Sequence, residues 1–139
     1  MDKETDMKQE DKELLFKDFC ARLPYGVICK ILYTFNNETT DWEDVKSTCD
    51  DIVTQININT KEVFSDWLSE YSSVENVKPY FRPMSSMTEE EKEEYTSILG
   101  WEFLSLEAVD WLNAHHFDYR GLIEKGLAIE APEGMYSLA

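Results

Sequence analysis

The chain has 139 residues, 42% apolar and 13% aromatic, enough for one domain that buries roughly two-thirds of the surface its unfolded chain exposes. Its 29 acids against 13 lysines and arginines give a formal charge of −16, which excludes the cationic footprint that DNA, RNA or an anionic membrane requires. No apolar run approaches the ~18 residues of a membrane span, and the acidic start Met1-Asp2-Lys3-Glu4-Thr5-Asp6 is unlike a secretory leader, so a cytoplasmic protein is expected.

Residues 1–9 alternate in charge without an apolar period and read as a flexible N-terminal arm. From 10 to 22 the spacing of Leu15, Phe19 and Leu23, with Leu14 beside them, predicts a helix that Pro24 terminates. The β-branched and aromatic run Tyr25–Phe35 reads as a strand entering a turn at Asn36-Asn37. A second strand, Ile52–Ile58, places Ile52, Thr54, Ile56 and Ile58 on one side, and Asn59-Thr60 turns it toward a short partner at Lys61–Phe64. Residues 25–66 thus form the β-rich part, an antiparallel meander. Val63, Trp67 and Tyr71 also have helical spacing, so 62–72 fits either helix or strand.

Ser72–Thr88, with Pro79 and Pro83, reads as an ordered connection anchored by Tyr80 and Phe81. The helical part spans about 88–126. Thr88-Glu89-Glu90-Glu91 has capping-box spacing and opens a helix over 89–99 that stops at Gly100. Ser105 caps a second, with Leu104 and Val109 as its staple, running to about His115. Asp118 is the expected N-cap of a third, with Phe117 against Leu122 and Gly126 at its end. Leu127-Ala128-Ile129 suggests an edge strand, after which Pro132 and Gly134 release the tail. The expectation is a single α+β domain over 10–139, a small antiparallel β-meander packed against three to four α-helices.

The segments Lys78-Pro79-Tyr80-Phe81-Arg82-Pro83-Met84-Ser85-Ser86-Met87-Thr88-Glu89-Glu90-Glu91 and Asp110–Leu127, including Trp111, His115-His116-Phe117-Asp118-Tyr119-Arg120-Gly121 and Lys125-Gly126, resemble an uncharacterised family of short proteins from gut Bacteroidetes and their phages and mobile elements. Leu23-Pro24-Tyr25-Gly26-Val27 is similar to that family's entry into its β region. The resemblance covers about 70 residues and implies a genomic setting. It brings no activity, cofactor or catalytic residue with it.

Cys20, Cys29 and Cys49 are odd in number and lack a CxxC pairing, pointing to reduced thiols rather than a disulfide or closed zinc framework. Cys29 in a β-branched strand reads as buried and inert rather than nucleophilic. No glycine-rich phosphate loop or serine-nucleophile elbow is present. His115, His116 and Asp118 are three metal-ligand types within four positions. Consecutive helical side chains diverge by ~100° and Asp118 is wanted as a cap, so the plainer reading is packing, with His115 on the Trp111 face and His116 on the Leu112 face. Arg82 and Arg120 are among few cations and are candidate anion or carboxylate binders; for Arg82, pairing with an internal acid is the plainer outcome.

Half of the excess charge sits between 38 and 75, where Glu38, Asp41, Glu43, Asp44, Asp50, Asp51, Glu62, Asp66, Glu70 and Glu75 face only Lys46 and Lys61. As an acidic surface this stretch suits a basic protein partner or imitates a phosphate backbone, though charge that merely solvates the protein is the plain alternative. The residues together point to a non-enzymatic accessory or interaction protein with a protein partner and no cofactor. The alternatives are an acidic nucleic-acid mimic that inhibits a DNA-binding host protein, and a metal protein or enzyme at His115, His116 and Asp118.

Overall fold

The computed structural model describes residues 7–36, 44–99 and 105–136. Residues 1–6 of the expected arm 1–9, the Gly100 stop, the Leu104 staple and the acids Glu38, Asp41 and Glu43 lie outside them, and Gln9, the last residue of that arm, already belongs to the first helix. The described residues form three α-helices and six strands, mostly antiparallel, as expected of an α+β chain. Two compact units divide it, Met1–Pro79 and Tyr80–Ala139.

The first unit opens with α1 (Gln9–Arg22), whose Glu10 and Asp11 sit in the first turn and Arg22 in the last, each sign matching its end of the helix dipole. The helix buries Leu15, Phe16 and Phe19, with Asp18 and Arg22 beside them. That stripe differs from the expected Leu15–Phe19–Leu23 one. The helix ends at Arg22, and Leu23–Tyr25 tightens into a 3-10 turn that leaves Leu23 half-buried. The Asp18 carboxylate and Arg22 guanidinium, 2.8 Å apart, are shut off from water, so each depends on the other. Gly26 then lets the chain enter the sheet at φ +70°, and a Cβ there would come within 3.1 Å of Ile52.

Strand β1 (Val27–Asn36) pairs antiparallel with β2 (Asp44–Asn57) from Val27↔Val53 to Asn36↔Asp44. Strand β2 begins eight residues before the expected Ile52. Aspartates are poor strand residues, but in the ladder Asp50 stands opposite Lys30 and Asp51 serves a turn. Nor do Ile52, Thr54, Ile56 and Ile58 share one side as expected. Val27, Cys29 and Ile31 face inward with Val53, so Ile52 points outward and Ile58, beyond the strand, is 72% exposed. A register shift between Val53 and Gln55 makes Ile56 the next residue on the inner side, opposite Val63.

Residues 62–72 resolve as strand rather than helix. Here β3 (Glu62–Ser65) and β4 (Glu70–Ser73) form a hairpin, with Val63 and Ser65 buried and Phe64 edge-on to Tyr71 across the strands at 5.2 Å. The meander β1-β2-β3-β4 thus extends past residue 66. The supposed connection after it contains another strand, β5 (Val77–Phe81), whose first three residues pair with Ile31, Lys30 and Cys29 of β1. Pro79 masked it, yet buried Val77 and Pro79 alternate with exposed Lys78, as a strand requires.

In the second unit Tyr80 and Phe81 pair in parallel with β6 (Ile129–Glu130). Helix α2 (Glu89–Leu99) begins with the expected capping box, Glu91 N–H donating to Thr88 Oγ1 (3.1 Å) and Thr88 N–H to Glu91 Oε1 (2.9 Å). Helix α3 (Leu106–Ala114) begins with Ser105, which accepts Ala108 N–H at 3.1 Å. Met87, Trp111, Leu112 and Phe117 form a core flanked by Tyr95, Ile98 and Tyr119. The third helix expected after Asp118 is replaced by turns. Gly121 adopts φ +73° inside what would be its first turn, and Asp118 accepts the N–H groups of Leu122 and Ile123 (2.8 and 2.9 Å), too far along the chain for an N-cap. Nor does the tail come free after Gly134, since Tyr136 donates to the Tyr80 carbonyl at 2.9 Å.

Candidate functional site

Arg82 finds an internal carboxylate. Its N–H donors meet both oxygens of Glu91 at 2.6 and 2.7 Å, and its guanidinium lies 4.2 Å from the Phe117 ring centre. The strand-like backbone aims it there, because Arg82 N–H donates to His116 O (2.8 Å) and Arg82 O accepts from Asp118 N–H (2.9 Å). The hydrogen bonds from Arg82 hold the Glu91 carboxyl down at about 2, assisted by Thr88 N–H and against the opposing pull of burial. Beside this pair lies an open cleft of ≈ 620 Å³ whose wall also carries Glu90, Glu130 and Glu133. With its one arginine already committed to Glu91, the cleft offers little to an anion.

The two histidines lie on different partners. His115 stacks on Trp111 with ring centres 4.0 Å apart, and its Nδ1 lies 2.9 Å from the Trp111 carbonyl. This is the face assigned to it from the sequence. His116 departs from the Leu112 face expected of it. Helix α3 has ended, the residue adopts φ +62°, and its ring stacks on Tyr136 at 3.6 Å. Asp118 is occupied by Leu122 and Ile123 N–H, and Arg120 lies over the Tyr119 ring at 5.2 Å. Among the described residues no three His, Cys, Asp or Glu side chains come together as a metal site. Cys29 is buried, and desolvation, with the charges of Asp51, Asp18 and Asp50, pushes its thiol well above the ordinary range, so the thiolate a nucleophile needs is disfavoured.

The acids of the first unit divide by role. Asp50, Asp66, Glu70 and Glu75 are exposed and Glu62 is half-buried, with Glu75 3.2 Å from Lys12. Asp51, expected on the acidic surface, is only 8% exposed. Its carboxylate accepts Ile52 N–H (2.8 Å), Trp67 N–H (2.9 and 3.2 Å) and Leu68 N–H (3.1 Å), reaching from β2 to the tip of the β3–β4 hairpin. The tip is tied further by Asp66 N–H to Ile52 O (3.1 Å) and Ser69 N–H to Ser65 O (2.9 Å), with Ser69 held at φ +54°.

On that pinned tip Trp67 is 71% exposed, with exposed Asp66 before it and Glu70 and Tyr71 after it. Among the described residues neither Asp66 nor Glu70 is ion-paired. The sequence reading missed this arrangement. Its available signals were the Asp66/Ser69 turn chemistry between two β-prone runs, and a carboxylate, Asp51, set inside a β-branched run. Comparison of the chain with protein-family models, curated proteins and solved structures finds no match.

Proposed function

We propose that this chain is a non-enzymatic interaction protein whose β-rich unit binds a protein partner of basic character. The observation that carries the reading is Trp67, a large apolar side chain left 71% exposed on a turn whose backbone a buried carboxylate holds in place. Tryptophan is the residue most enriched among interface anchors, and holding it beforehand reduces the ordering cost of binding. Asp66 and Glu70 give the anchor an acidic rim, and the overall charge of −16 steers a cationic partner toward the protein. We place the protein in the cytoplasm, in keeping with its three free cysteines, and in the mobile-element setting that the family resemblance implies.

A nucleic-acid mimic is the weaker reading. It needs the acids of 38–75 aligned on one face, whereas Asp51 is interior, Glu75 pairs with Lys12, and Asp50 shares the outer sheet face with Lys30, Lys46 and Lys78.

The test is affinity capture from host lysate by the tagged protein and by its Trp67→Ser variant, at low and high salt. A basic protein retained by the parent at low salt, released at high salt and lost from the variant is the expected result. Equal retention by both proteins overturns the reading.

A further inference from the structure

Resting on that reading, we infer that the partner docks as an extended, arginine-bearing segment. It adds as a strand along the free edge of β4, with one guanidinium against Trp67, Asp66 and Glu70. Strand β4 ends the sheet order and pairs only with β3, so among the described residues its outer row of N–H and C=O groups has no ladder partner. Edge strands are ordinarily guarded by shortness, by charge, by proline or by a bulge. Glu70-Tyr71-Ser72-Ser73 is short and carries one charge, but it has no lysine, proline or bulge, its register with β3 is regular, and Glu70 and Tyr71 are exposed. The one charge on this edge is negative, which repels acidic strands and admits cationic ones.

Strand addition supplies affinity through main-chain hydrogen bonds and selectivity through side-chain sites beside the edge. The side-chain site here is the hairpin tip, where an indole face and two carboxylates lie within five residues. A planar guanidinium stacks on the first and donates to the second, which a lysine ammonium does less well. The same chemistry closes internally in the second unit, where Arg82 is bound by Glu91 and covered by Phe117. At residues 66–70 the acceptor half is present and the arginine must come from outside.

The full chain, labelled with 15N, is titrated with a decapeptide alternating arginine and valine, with its glutamine-for-arginine counterpart, and with the arginine peptide N-methylated at alternate amides. The expected result is that only the first binds, with amide shifts concentrated at 66–73. Trp67→Ala weakens it about tenfold or more, and Asp66→Asn with Glu70→Gln weakens it several-fold, while Glu107→Gln has no effect. Equal binding of the N-methylated peptide overturns strand addition, and equal binding of the glutamine peptide overturns the arginine site. Concentration-dependent shifts at 70–73 without peptide, accompanied by dimerisation, assign the edge to a second copy and also overturn it. These failures leave the basic-partner reading standing if lysate capture still depends on Trp67; insensitivity of capture to Trp67 removes both.

Discussion

Three demands meet on the carboxylate of Glu91: it closes the capping box of α2 through Thr88 N–H, receives both donors of Arg82, and borders an open cleft. Its folded-state pKa of about 2 lies below the ordinary 4.5, so the stabilisation is complete above the ordinary value and is lost as pH falls through that interval. The pair is 15–20% exposed, and allowing for screening its worth is about 1–2 kcal/mol. Glu91→Gln is therefore expected to unfold at lower urea than the parent at pH 7, and the gap should close as pH is lowered from about 4.5 to 2. A gap independent of pH would show that the carboxylate's charge is not what matters. The capping box was legible because Thr-x-x-Glu is a local device, whereas its extension to Arg82 was not, since it depends on Arg82 bridging to Phe117 far along the chain.

At the scale of the element, the β3–β4 hairpin owes its shape to a residue outside it. Asp51 supplies the acceptor for two N–H groups of the tip, so Asp51→Asn keeps the size but weakens charge-assisted bonds. The expected cost is about 2 kcal/mol, with faster hydrogen exchange at the Trp67 and Leu68 amides than at those of β1. Uniform acceleration across the sheet would mean instead that the tip opens only with global unfolding. This dependence explains why 62–72 read equally as helix and strand. The spacing of Val63, Trp67 and Tyr71 is helical, but Trp67 is presented to solvent and only Val63 of the three is buried. Periodicity reports which residues are apolar and not which are covered. The missing third helix after Asp118 has a similar cause, because the carboxylate accepts N–H groups four and five residues on, across a turn that Gly121 bends away from helical geometry.

For the whole molecule, a charge of −16 on 139 residues means that every folded conformation works against its own repulsion. Moderate sodium chloride should therefore raise the melting temperature of the free protein while weakening its hold on a basic partner. A melting temperature that falls with added salt would place the net electrostatics on the attractive side. Composition and local pattern by themselves determined the α+β class, the acidic character, the helices read at about 10–22, 89–99 and 105–115, the caps at Thr88 and Ser105, and the presence of β1, because each follows from neighbours within a few residues. Among the described residues, no helix is long and apolar enough to cross a membrane, as the composition anticipated. The early start of β2, the register shift that splits its isoleucines between two sides, the strand hidden by Pro79 and the burial of Asp51 were decided only in the tertiary structure. So were the partner chosen by Arg82 and the exposure of Trp67. Each of these depends on which distant backbone or side chain satisfies a polar group or covers an apolar one, and a one-dimensional pattern does not carry that information.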